Sequence, residues 1–159
     1  MRRTDREITN VNDIKNIIDK CDVIRIAMND KIYPYIIPVN FGYEFIDDKL
    51  TLFFHSSTEG YKHKVIENDN HISFEMDCSH ILMPPVDGIA CSASMAYESV
   101  IGQGVVSAVC NDEKETALIK ILEHYNIDDK EFNATSLAKT KVYKIQVHCF
   151  TAKRRTKDR

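Results

Sequence analysis

The chain has 159 residues, of which 43% are hydrophobic and 28% charged, and this suits one globular domain with a sizeable core. A formal net charge of −3 and an isoelectric point near 6.1 argue against nucleic acid as the main partner. No apolar run reaches the roughly 20 residues that a membrane span needs, and the charged start of the chain lacks the apolar core of a signal peptide. We therefore expect a cytoplasmic protein with no membrane partner.

The first third of the chain predicts one helix and three strands. Residues 11–21 predict a helix, because apolar side chains recur there at helical spacing and give one buried face. Residues 23–28 then predict the first main strand. Residues 32–45 are rich in β-branched and aromatic side chains, and the pattern resumes at 49–54 after a turn at 47–48, so these segments predict a hairpin.

A polar turn at 55–64 leads from this hairpin into a short helix. The first N–H groups of a helix have no intrahelical partner and carry partial positive charge, which suits a phosphate. A hydroxyl at 56–58 can cap the helix, Gly60 allows close approach, and Lys62 and Lys64 add charge. An ordinary capped helix with surface lysines explains the same residues, and neither a GxGxxG nor a Walker motif is present.

The rest of the chain predicts more strands than helices. Strands are expected at 72–76 and 142–151, and either one bent strand or a strand pair at 95–110, where two glycines mark the bend. Residues 112–125 give the clearest helix, with acidic residues in its first turn and an apolar stripe. The basic residues of 153–159 are expected to be a solvated terminus. This order of elements indicates a closed, mainly antiparallel sheet.

The cysteines and histidines predict no metal site. The five cysteines are widely spaced and odd in number and contain no Cys-x-x-Cys pair, which indicates reduced thiols. Cys110 and Cys149 lie in apolar strand-like runs and are expected in the core. Cys78-Ser-His followed by Cys91 is not a zinc spacing. The histidines other than His55 are expected to be exposed to solvent.

Five segments, in order, carry a resemblance to a known family. They are Arg25-Ile-Ala, Pro34-Tyr-Ile-Ile-Pro-Val-Asn-Phe-Gly-Tyr-Glu, Phe54-His-Ser-Ser-Thr-Glu-Gly-Tyr-Lys, Phe74-Glu-Met-Asp and Tyr97-Glu-Ser-Val-Ile-Gly-Gln-Gly. Together they resemble the nitroimidazole-resistance family of the pyridoxamine 5′-phosphate oxidase-like flavoproteins, over nearly the whole chain. The resemblance implies a mainly β fold with flanking helices, an FMN-binding split β-barrel, as a single flavin-binding domain over 1–159.

The same resemblance implies a flavin, FMN or FAD, bound across a homodimer interface. The segment from Ile37 to Asn40 would run along the isoalloxazine ring. Val39 and Asn40 would offer backbone N–H groups to the polar edge of the ring, whereas Pro38 has no N–H to donate.

Two further segments would complete that site. His55, Ser56 and Lys62 match the His-Ser…Gly-x-Lys pattern of the family and would contact the ribityl phosphate or the ring edge. Ser99 and Val100 would come from another part of the barrel wall or from the partner chain. His55 is the candidate proton donor, since an ordinary imidazole has a pKa of about 6.5. A structural or phosphate-binding histidine is the competing interpretation.

The function implied is that of a flavin-dependent reductase. Such an enzyme would pass electrons from a nicotinamide donor, NADH or NADPH, to a nitroaromatic of the 5-nitroimidazole type or to another small acceptor, with the flavin supplying the redox chemistry. One alternative is a flavin- or haem-binding module without turnover of its own. Another is a pyridoxamine phosphate oxidase-like activity, which the closer match to the nitroimidazole branch and the short chain disfavour.

Overall fold

The computed structural model describes residues 3–157 as a mainly antiparallel β structure with flanking helices. The strands are β1 (Glu7–Ile8), β2 (Ile24–Met28), β3 (Tyr35–Val39), β4 (Phe41–Ile46), β5 (Lys49–Ser57), β6 (His71–Met83), β7 (Ser94–Ala108) and β8 (Thr140–Arg155). The helices are α1 (Val11–Ile18), α2 (Tyr61–Asn68), α3 (Lys114–His124) and α4 (Ala134–Ala138), with short 3-10 turns at Thr4–Arg6 and Ala90–Ser92. The mainly β fold expected from the sequence is confirmed.

Seven strands follow one another in a single antiparallel sheet, in the order β3-β2-β6-β7-β8-β5-β4, and β1 pairs with β8. The three longest strands, β6, β7 and β8, are neighbours and form the centre of the sheet. The pairing of β7 with β8 shifts register between Gln103 and Gly104. The main core lies on the inner side of the curved sheet and is closed by the apolar face of α1.

The predicted hairpin is present, but its first strand is interrupted. Asp47 and Asp48 both have positive φ angles, 48° and 59°, which is the conformation of a tight two-residue hairpin turn between β4 and β5. The apolar run 32–45 is two strands rather than one. β3 pairs with β2, the chain crosses at Asn40, and β4 pairs with β5.

Other predicted elements are present with different bounds or surroundings. The segment 95–110 is one long strand, β7, and not a pair of strands. The strand expected at 72–76 lies in the first half of the longer β6. Cys110 and Cys149 were expected in the core but are exposed. Cys110 lies beyond the end of β7, and Cys149 lies on β8 next to the register shift between β7 and β8.

A buried carboxylate holds the last strand to the first helix. Glu98 is 6% exposed and accepts hydrogen bonds from Lys20 Nζ at 2.8 Å and Arg154 Nε at 2.5 Å. The Arg154 guanidinium also lies 3.4 Å from Asp13 Oδ1 on α1.

The expectation that 153–159 is a solvated tail is wrong for the residues up to Arg155, which belong to β8. Residues 158 and 159 lie outside the described residues.

Close packing of α3 on β4 requires a glycine at position 42. A Cβ at Gly42 would overlap the carbonyl group of Lys120 and lie 2.5 Å from the backbone nitrogen of Ile121. Because these are backbone atoms of a helix, they cannot turn away as a flexible side chain would. We expect Gly42→Ala to lower the free energy of unfolding by about 1–3 kcal/mol, measured by urea denaturation. An unchanged midpoint would mean that α3 can shift away from β4 at no cost.

Candidate functional site

The polar turn between β5 and α2 leaves the start of α2 without a cap. Gly60 is the residue before the helix, with φ at 143°, and no side chain in the described part of the chain accepts from its first N–H groups. The expectation that a hydroxyl at 56–58 caps α2 is wrong. Ser56 Oγ instead donates to the carbonyl of Ser57 at 2.7 Å, and Ser57 Oγ accepts from the backbone N–H of Glu59. The helix start is therefore available to an anion.

Lys62 turns back toward this helix start. Its Nζ donates to Ser56 Oγ at 3.1 Å and would lie 3.6 Å from a Cβ at Gly60. A side chain at position 60 would thus fill the space beside the ammonium group. The backbone N–H groups at the start of α2, the Ser56 hydroxyl and the Lys62 ammonium together form a positively charged surface cluster, which we call the anion cradle. Lys64, on the same helix, is exposed.

The edge strand β3 starts next to the anion cradle. The ring of Tyr35, the first residue of β3, packs edge to face on Tyr61 at the start of α2, with centroids 5.3 Å apart. β3 is at one end of the sheet order, so one side of its backbone has no neighbouring strand among residues 3–157. Ile36 is 59% exposed, whereas Ile37 faces the core. A flat apolar group has room to lie along this edge.

Asn40, at the far end of β3, is held by Tyr125, the last residue of the helix predicted over 112–125. Tyr125 Oη accepts from Asn40 Nδ2 at 3.1 Å and from the backbone N–H of Phe41 at 3.2 Å, and it donates to the carbonyl of Asp22 at 2.7 Å. Tyr125 therefore fixes the crossing from β3 to β4. A tyrosine, rather than a phenylalanine, at the end of a buried stripe was the available signal, since its hydroxyl needs a partner.

His55 lies on β5, one residue before Ser56, opposite Val142 of β8. Surrounding protein atoms remove water from the imidazole and lower its pKa from the ordinary value of 6.5, although part of the side chain remains exposed. The ring is therefore mainly neutral at neutral pH. A neutral imidazole is a weaker proton donor than an imidazolium, which favours a binding role over an acid role.

Comparisons with known proteins agree on one family. The family model for pyridoxamine 5′-phosphate oxidase matches residues 10–154. A solved structure of a candidate 5-nitroimidazole antibiotic resistance protein from Bacteroides thetaiotaomicron is 32% identical, with a TM-score of 0.78 over 92% of this chain and 85% of that one. The chain belongs to the pyridoxamine 5′-phosphate oxidase family. Its resemblance to the nitroimidazole-resistance branch and its split-barrel fold are thereby confirmed.

Solved structures of lower sequence identity share the split-barrel fold of this chain. An FAD- and haem-binding protein from Mycobacterium smegmatis is 14% identical, with a TM-score of 0.78 over 94% of this chain and 73% of that one. A flavocytochrome from Azotobacter vinelandii is 16% identical, with a TM-score of 0.79 over 98% of this chain and 72% of that one. At these identities the likeness concerns the fold alone. No curated protein matches the sequence.

Within this oxidase-family chain, Ser99 and Val100 lie far from the anion cradle. Ser56 pairs with Lys141 near the beginning of β8, whereas Ser99 pairs with Lys153 near its end. Val100 is fully buried in the core, and Ser99 is 8% exposed. Within one chain, Ser56 and Lys62 therefore lie together near the edge of β3. Ser99 and Val100 lie toward the opposite end of β8, measured along the strand direction.

No group of three or more histidine, cysteine, aspartate or glutamate side chains within residues 3–157 is arranged to hold a metal ion. In the same part of the chain, no helix has both the length and the apolar character needed to cross a membrane.

His63, expected to be exposed, is buried on the inner face of α2.

Proposed function

We propose that this chain is a flavin-dependent reductase, formed by a single domain over 1–159, that binds FMN or FAD and passes electrons from a nicotinamide donor to a nitroaromatic or another small acceptor. The observation that carries the proposal is the anion cradle beside the edge of β3. Helix N–H groups, a hydroxyl and an ammonium suit a phosphate, and an exposed apolar strand edge suits a flat ring. Membership of a flavin-associated family supports the same cofactor.

The residues present fit a flavin phosphate in charge and in hydrogen-bonding groups. Lys62 would supply a full positive charge, Ser56 a hydroxyl, and the start of α2 its unpaired N–H groups. Along β3, the backbone N–H groups of Val39 and Asn40 would face the polar edge of the ring, while Pro38 restricts the pattern of donors. The bound flavin would supply the hydride and electron transfer, and the protein would orient it and exclude water.

The proposed functional unit is a homodimer with the flavin between the two chains. Ser99 can contribute to the flavin site only from a second copy, because within one chain it pairs with the opposite end of β8. The Val100 side chain lies in the core, so Val100 could contribute only through its backbone. Large apolar side chains also remain exposed on β3 and along the β6–β7 hairpin, which is typical of a surface that another protein covers. They include Ile36, Ile81, Leu82, Val86, Ile89 and Met95.

The experiment that tests the reductase is an absorption spectrum of the purified protein after reconstitution with FMN, followed by anaerobic addition of NADH or NADPH and then of a nitroimidazole. Flavin bands that bleach with the nicotinamide and return with the nitro compound are expected. A flavin spectrum that neither nicotinamide bleaches would overturn the proposed donor and favour a binding module. A Soret band, or no bound chromophore after FMN addition, would overturn the flavin itself.

His55 is proposed to bind the flavin rather than to donate a proton. Because its pKa is lowered, most of the population carries a neutral imidazole at pH 7, so loss of the ring should affect binding more than chemistry. We expect His55→Phe to weaken FMN binding by about threefold to tenfold, the size of one neutral contact. The turnover rate per bound flavin should change by less than about twofold.

A histidine elsewhere on the surface provides the control for His55→Phe. His71 is exposed and lies at the start of β6, so His71→Phe should change neither FMN binding nor turnover. Full flavin retention by His55→Phe, combined with slow turnover that no longer depends on pH near the imidazole pKa, would contradict the binding role and assign chemistry to His55.

A further inference from the structure

His63 joins the anion cradle to the interior of the barrel. The side chain is 7% exposed, and its Nε2 lies 3.0 Å from the carbonyl oxygen of Ser57. Its Nδ1 lies 2.5 Å from Tyr143 Oη on β8. A carbonyl oxygen can only accept, so Nε2 must carry the hydrogen. In neutral His63, Nδ1 then accepts, and the hydroxyl of Tyr143 donates to it.

Tyr143 is a fixed partner for this histidine. It is 2% exposed, and its ring stacks on Phe54 with centroids 5.1 Å apart. Burial raises the pKa of Tyr143, so the phenol remains protonated and able to donate. The pair therefore sets both the tautomer and the orientation of the His63 ring from the core side.

The carbonyl of Ser57 is shared between His63 and the anion cradle. It accepts from His63 Nε2 at 3.0 Å and from Ser56 Oγ at 2.7 Å, while Ser56 Oγ itself accepts from Lys62 Nζ at 3.1 Å. A hydroxyl has one hydrogen to donate. When Ser56 donates to an anion, it must release the Ser57 carbonyl, and His63 Nε2 then remains as the side-chain donor to that carbonyl.

We infer that His63 and Tyr143 are positioning residues for the phosphate of the cofactor. By keeping the Ser57 carbonyl hydrogen-bonded, His63 frees the Ser56 hydroxyl to turn to a phosphate oxygen, and it fixes the end of β5 against α2. This inference rests on the proposed function, because it specifies how the same cradle recognises its phosphate. Neither residue contacts the phosphate itself.

The test compares FMN with riboflavin, which lacks the phosphate. Fluorescence quenching gives the affinity of each flavin, and the ratio of the two affinities reports the phosphate contact alone, so a general loss of stability cannot mimic it. We expect His63→Leu to reduce this ratio by about fivefold or more, the size of one lost hydrogen bond. In His63→Gln the amide can still donate to the Ser57 carbonyl, so the ratio should stay within about twofold of the wild-type ratio.

Val65→Ala provides the matched control for packing. Val65 is buried on the same face of α2 but forms no part of the hydrogen-bonded chain, so its truncation should lower the melting temperature and leave the ratio unchanged. Tyr143→Phe, which keeps the ring and removes only the hydroxyl, should reduce the ratio in the same direction as His63→Leu.

The outcomes separate this inference from the proposed function. A wild-type protein that binds FMN no better than riboflavin would overturn the anion cradle itself. A wild-type preference for FMN that survives unchanged in folded His63→Leu and Tyr143→Phe would leave the cradle standing and overturn the positioning role.

Discussion

Replacing Lys62 with alanine should weaken FMN binding by about 10- to 100-fold, measured by fluorescence titration. The ammonium lies between Ser56 Oγ and the start of α2, and its removal deletes a charge-assisted contact of roughly 1.5–3 kcal/mol with the phosphate. The backbone N–H groups of α2 remain, so binding should be weakened rather than abolished. The affinity for riboflavin should stay within about twofold of the wild-type value, because riboflavin has no phosphate and so makes no such contact with Lys62.

Lys64 offers a control for the Lys62 substitution with the same change of charge. It lies on the same helix but is exposed, so Lys64→Ala should alter FMN affinity by less than about twofold, the effect of a screened surface charge. Equal losses in the two variants would indicate a diffuse electrostatic effect. Unchanged FMN binding in Lys62→Ala would place the phosphate elsewhere on the protein.

Replacing Glu98 with glutamine should lower the free energy of unfolding at pH 7 by about 3 kcal/mol, measured by urea denaturation. Glu98 is the buried acceptor shared by Lys20, Ser79 and Arg154, and a neutral amide cannot accept as strongly from two cations. Glu75→Gln is the matched control. Glu75 pairs with Arg25 at a more exposed position on the outer face of the sheet, so its loss should cost less than about 1 kcal/mol.

The Glu98 network should also appear in the acid stability of the protein. Burial by itself raises the pKa of Glu98, but hydrogen bonds from Lys20, Arg154 and Ser79 outweigh it and hold the pKa at about 2, below the ordinary 4.5. A carboxyl whose pKa is lowered by folding stabilises the protein above its ordinary pKa. The stabilisation should therefore be complete above pH 4.5 and disappear as the pH falls toward 2.

Glu98→Gln should lose less stability than the wild type across that acid window, because glutamine does not titrate. Urea midpoints at several pH values between neutral and strongly acidic conditions measure the difference. Parallel pH curves for the two proteins would mean that Glu98 has the same pKa in the folded and unfolded chains, and would contradict the role of the network.

Local patterns in the sequence predicted most of the elements correctly. Helix α1 follows from apolar side chains at helical spacing, and the β4–β5 hairpin from its turn at Asp47 and Asp48. The break at Asn40 could not be predicted in this way. Most residues of 32–45 suit a strand, and the segment is divided by the choice of partner strand, β2 before the break and β5 after it.

The candidate site was predicted in part for the same reason. Ser56 and Lys62 are close in sequence, and the structure places them in hydrogen-bond contact. Tyr125 and Tyr143 are distant in sequence from the residues they hold, so no local pattern predicts their roles. A tyrosine in an apolar run indicates that its hydroxyl needs a partner, but it does not indicate which residue is the partner.

The sequence by itself determined the family, the mainly antiparallel fold and the polar turn that starts α2, because these depend on local periodicity and on motifs that are contiguous in the chain. Only the tertiary structure decided which polar groups are buried and paired. Glu98 is buried and paired with Arg154, and His63 is buried and paired with Tyr143. Both partners are distant in sequence from the residues they contact. The physical reason is that burial depends on strand pairing across the sheet, whereas periodicity describes only one strand at a time.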